Sequence, residues 1–158
     1  MKEKRMKVPI QYAIESGAWF QCKDENNDFR LKINAFEKIK LNSSTEIEKI
    51  DTGFDLRQGD FWGLKIEIIS FNKQTIGGNY ITHEISIVDS DDFEYQDTYD
   101  EYLCYDSHYI KSSGLKTLGI MVTFYPKIKY TGILLYFIPK DDNANYFFTL
   151  KDFVRKNI

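Results

Sequence analysis

At 158 residues and 18.7 kDa the chain has the length of one domain, large enough to bury a core without a metal or a disulfide. Its 21 Lys and Arg stand against 24 Asp and Glu, a formal charge of −3 that supplies no general attraction to nucleic acid or anionic lipid. A 42% hydrophobic and 28% charged composition excludes a disordered chain, and no apolar run is long enough for a membrane span.

Aromatic residues make 16% of the chain, which favours half-buried sheet positions. In chain order, Val8, Ile10, Tyr12 and Ile14 alternate with mostly polar neighbours and predict a first strand, in a segment (1–28) that reads as an N-terminal extension or extra strand. Phe29, Leu31, Ile33 and Ala35 predict a second. Asn42 to Lys49 suits a short capped turn, and Gly59-Asp60-Phe61-Trp62-Gly63 a turn feeding a strand through Leu64, Ile66 and Ile68. After a loop from Asn72 to Asn79, the residues Ile81, His83, Ile85 and Ile87 alternate again.

Leu118, Ile120, Val122 and Phe124 predict a strand closed by Pro126. The uninterrupted apolar run Ile133 to Ile138 has the character of a central strand, with Tyr146, Phe148 and Leu150 returning antiparallel to it. Lys151 to Lys156 is long enough only for a terminal turn of helix. Seven or so short strands without crossover helices predict an all-β, immunoglobulin-like antiparallel sandwich in a single domain spanning 1–158, with a small barrel as the alternative.

The chemistry concentrates between Asp89 and Asp106, where Asp89, Asp91, Asp92, Glu94, Asp97, Asp100, Glu101 and Asp106 are interleaved with Phe93, Tyr95, Tyr99, Tyr102 and Tyr105, and Tyr109 follows. Tyrosine offers rigid amphipathic contact area, so this stretch reads as a partner-binding surface. Tyr95, Tyr99, Tyr102 and Tyr105 would serve as apolar contacts, with Asp97, Asp100 and Glu101 as specificity charges for a protein or basic peptide. The bland reading of the same residues is a solvated acidic loop with its rings packed against the sandwich edge. Asp89, Asp91 and Asp92 could offer oxygen ligands to Ca²⁺, although the spacing lacks the glycine and late glutamate of an EF-hand.

His83 and His108 have no second ligand at zinc spacing, Ser107 beside His108 is not a nucleophile–base pair, and Gly59–Gly63 lacks the phosphate-loop lysine. No catalytic set or cofactor site is evident, so the chain reads as noncatalytic, with a small-ligand module and a carboxylate-dependent hydrolase as alternatives. Lys111, Lys116, Lys127 and Lys129 could form a local basic patch, but nucleic acid is not an expected partner. Cys22 and Cys104 read as separate small hydrophobes, one bridge between them remaining open. The basic start from Lys2 to Lys7 is not followed by the apolar core of a signal peptide, which fits a cytoplasmic chain. A leader removed ahead of Met1 would instead place it outside the cell or in the envelope.

Three segments, the strand Leu64–Phe71, the run from Ile85 to Tyr95, and Tyr125 to Gly132 leading into Leu134–Pro139, together resemble a bacterial immunoglobulin-like domain family of unknown function, common in secreted proteins and lipoproteins. The likeness covers roughly Phe29–Asp152. It implies the sandwich architecture and supplies no catalytic residues. Asp92 stands where that family commonly has glycine, the Pro126 turn lacks the usual Pro-Gly pair, and Tyr99–Lys111 resembles an insertion.

Overall fold

The computed structural model describes residues 6–23, 25–41, 43–119, 122–150 and 153–154. β1 (Met6–Pro9) gives way to α1 (Ile10–Ser16), where alternation predicts one continuous strand. Ile10, Ala13 and Ile14 also fit a helical stripe. The helix prevails because it buries Ile10 and Ala13, leaves Tyr12 outside and ends at Gly17, whose φ of 60° suits a left-handed cap. β2 (Trp19–Lys23) and β3 (Asp28–Lys38) form a hairpin, with a bulge between Ile33 and Ala35. α2 (Ser44–Glu48) starts where Ser43 Oγ accepts the Glu46 N–H at 3.1 Å.

β4 (Gly59–Ser70) takes in the whole Gly59–Gly63 stretch expected as a turn, because Phe61 and Trp62 point to opposite faces that both carry apolar layers. β5 (Ile76–Gly77) and α3 (Gly78–Thr82) precede β6 (Ile85–Val88), so the strand expected from Ile81 begins only at Ile85, and His83 caps a helix instead. β7 (Glu94–Tyr95) follows. The segment read as an acidic loop then folds into α4 (Glu101–Tyr105) and α5 (His108–Ser113). β8 (Lys116–Thr117) precedes the strand expected over Leu118–Phe124, of which only β9 (Thr123–Phe124) forms among the described residues, Ile120 lying outside them. β10 (Lys129–Pro139) and β11 (Phe147–Leu150) follow, and β12 (Phe153–Val154) is a strand where a helical turn was expected, its flanking residues lying outside the described set.

Among the described residues three sheets form. The largest has the order β12-β2-β3-β4-β10-β8, antiparallel except for the parallel pairing of β8 with β10. A second runs β1-β11-β6-β7, and β5 pairs with β9. β11 therefore lies between β1 and β6 and does not return along β10. The immunoglobulin-like sandwich is overturned: the fold is mixed α/β, its sheets close into neither sandwich nor barrel, and helices supply part of the covering. Period-two patterning establishes strands but not what lies over them, and the short covering helices lack the long stripe that would announce them.

The six-stranded sheet is apolar on both faces. Leu134, Tyr136 and Ile138 of β10 join Leu31, Ile33, Leu64 and Ile66 under the smaller sheet and α1. Ile133 and Leu135, from the alternate positions, meet Phe61, Leu103, Cys104 and Ile110 beneath α4 and α5. The unbroken run in β10 is explained by this double covering. Cys22 belongs to the first cluster and Cys104 to the second, so the sheet stands between them and no disulfide joins them. Among the described residues no helix is long and apolar enough to cross a membrane.

Candidate functional site

The acidic, tyrosine-rich segment is held in place by its own carboxylates. Asp100 is buried and caps α4, its Oδ1 accepting the Leu103 N–H and its Oδ2 accepting the Asp51 N–H, each at 2.9 Å. Ser107 caps α5 through the Ile110 N–H at 3.3 Å, and buried Glu46 accepts the His108 N–H at 3.0 Å, tying α2 to α5. Tyr109 donates its hydroxyl to Glu37 at 2.9 Å, and Lys65 reaches the same carboxylate at 2.9 Å. Lys65 in first place, with Tyr109, holds the Glu37 carboxyl below its ordinary range despite the opposing effect of desolvation.

The proposed contact residues divide. Tyr99 and Tyr105 are exposed and meet edge to face, with ring centroids 6.5 Å apart, and Glu101 is exposed beside them. Tyr102 is half-buried, with the Lys49 ammonium 5.3 Å from its ring centre. Tyr95 belongs to β7: its hydroxyl donates to Asp89 Oδ2 at 2.9 Å, and burial, then Asp89, pushes its pKa up to about 12. Asp97 accepts from the Thr82 hydroxyl at 3.1 Å and lies 2.9 Å from His83 Nδ1. Asp100 is occupied as a cap. The structure thus gathers Tyr99, Tyr102, Tyr105 and Glu101 and assigns Tyr95, Asp97 and Asp100 hydrogen-bonding duties within the fold.

Two depressions share Tyr99. One is an open basin of about 420 Å³ bounded by Lys49, Asp51, Glu101, Tyr102 and Asp106, acidic apart from the one lysine. The other is a smaller cavity of about 250 Å³ with His83, Asp97, Cys104, Thr117 and Leu135 on its walls. Ligand pockets commonly run from about 300 to 1,000 Å³, so the smaller cavity has room for a fragment only. Asp97 Oδ1 lies close to the His83 ring without a hydrogen bond to it, so the two do not form the oriented pair of a general-base dyad. Burial also raises the Cys104 thiol above its ordinary pKa and keeps it protonated, the opposite of what nucleophilic attack requires.

In the Asp89 turn, Oδ1 accepts the N–H groups of Asp91 and Phe93, both at 3.0 Å, while Asp92 pairs with Lys7. These carboxylates organise the turn and do not converge: among the described residues no group of three or more His, Cys, Asp or Glu is placed to hold a metal ion. Sequence reasoning missed Lys49 and Asp51, which lie some fifty residues upstream of the tyrosines and join them through tertiary contacts, Asp51 through Asp100 and Lys49 over the Tyr102 ring.

Comparison with protein-family models, with curated proteins and with solved structures gave no match. The immunoglobulin-like resemblance finds no support there.

Proposed function

We propose that the chain is a noncatalytic binding module that engages a basic peptide or a basic segment of a protein through the acidic, aromatic rim of α4. The observation that carries this reading is the exposed Tyr99–Tyr105 pair standing beside a basin bounded by Asp51, Glu101 and Asp106. Aromatic faces and carboxylates together suit a guanidinium or ammonium group, which gains from the ring quadrupole and from opposite charge. Lys49 over Tyr102 is the chain's own instance of such a pairing. Because the rim is fixed by capping bonds and apolar packing, little ordering is needed on association.

The test is fluorescence anisotropy with a labelled Lys/Arg-rich peptide and an Asp/Glu-rich control of equal length. Saturable, salt-sensitive binding of the basic peptide alone is expected, weakened about tenfold or more by Tyr99→Ala with Tyr105→Ala. Equal binding of both peptides, or undiminished binding by the folded double variant, rejects the reading.

A further inference from the structure

A second depression, of about 570 Å³, lies between the β2–β3 turn and the segment leaving β4, with Asn27, Asp28, Phe71, Asn72 and Gln74 on its walls. From these residues we infer that it is a binding site for a short neutral saccharide, independent of the tyrosine rim.

The first ground is charge. Among the lining residues Lys23 and Lys73 are matched by Glu25 and Asp28, so neither sign of charge dominates the walls. The second is the kind of polar group present. Carboxamides carry both donors and acceptors in one plane, the complement of vicinal hydroxyl groups, each of which both donates and accepts.

The third ground is rigidity. Asn27 donates through Nδ2 to the Tyr80 carbonyl at 3.4 Å and accepts through Oδ1 from Asn72 Nδ2 at 3.4 Å. Asn72 Oδ1 in turn accepts the Asp28 N–H at 2.7 Å. This relay fixes two amide planes before any ligand arrives, and Asn72 Nδ2 carries a second N–H beyond the one given to Asn27. Phe71 supplies an aromatic ring to the same wall, with the Arg30 guanidinium carbon 4.2 Å from its centre to hold its tilt. A pyranose presents C–H groups on one face and hydroxyls around its edge, which matches a ring beside planar amides. The volume falls within the usual range for small-molecule sites.

The experiment is a ¹H–¹⁵N NMR titration of the full chain with maltotriose, cellotriose and tri-N-acetylchitotriose, each to about 10 mM. At least one is expected to give saturable shifts at the Asn72 and Gln74 side-chain amides, with Kd of about 1 mM. Phe71→Ala is expected to weaken that binding about tenfold. Gln74→Ala, at an exposed position, should weaken it several-fold with the fold intact. Three events overturn the inference: silence from all three sugars, sugar shifts indifferent to Gln74→Ala, or saturation by inorganic phosphate or spermidine at lower concentration than any sugar.

Discussion

The hydroxyl of Tyr109 lies against the backbone of Gly63, in the space that a side chain at residue 63 would enter. A methyl group there would also stand 2.9 Å from Tyr109 Cζ. Gly63→Ala is therefore expected to destabilise the chain by about 1–3 kcal/mol through overpacking. Adding Tyr109→Phe should recover part of the loss, and urea unfolding of the four-member cycle measures the coupling.

Asp100 anchors the tyrosine rim from inside. Asp100→Ala removes a cap and strands the Asp51 N–H, and an expected cost of about 1–3 kcal/mol follows. Asp100→Asn should cost less, since one carboxamide oxygen still caps α4. Hydrogen exchange at Leu103 and Cys104 should accelerate in the alanine variant before global stability is lost.

Tyr95 sets an alkaline limit. Its folded-state pKa of about 12 lies above the ordinary tyrosine value of about 10. Its contribution is complete below the ordinary value and disappears as pH rises through the folded one, because the unfolded chain ionises first. Tyr95→Phe should flatten the decline in melting temperature over that window.

Glu37 and Glu67 act at the acid end. Lys65 depresses the first, and Lys129, with help from Asn34 and Lys32, depresses the second. Both are lowered, so their stabilisation is present above the ordinary carboxyl range and is lost as pH falls through the folded values. Glu37→Gln with Glu67→Gln should lessen the acid sensitivity of thermal unfolding while lowering stability at neutral pH.

Cys22 and Cys104 are buried thiols not joined in a disulfide, on opposite sides of the large sheet. A thiol reagent should label neither quickly in the native protein and both in denaturant. Fast native labelling of Cys104 would contradict its placement on the buried face of α4.

What the sequence made legible follows from how many structures each pattern allows. Phe29–Ile33, Leu64–Ile68 and Ile133–Ile138 admitted only strands and are strands. Val8–Ile14 fitted both periods, and only the Pro9–Gly17 frame favoured the helix. In the candidate site the aromatic and acidic residues were legible, but their helical placement was not. Leu103, Cys104, Ser107 and Ile110 have helical spacing, and Asp100 and Ser107 each stand three residues before an apolar position. The density of charge obscured that signal. Lys49 and Asp51 had no local signal, since only tertiary contact makes them neighbours of Tyr102.

The partner of β1 is β11, which joins residues 6–9 to residues 147–150. On the ribosome the earliest strand must wait, without its mate, until residue 150 has emerged from the exit tunnel. The smaller sheet therefore cannot close before β11 has been made, and a nascent chain stalled earlier would leave an adhesive edge for chaperones to guard.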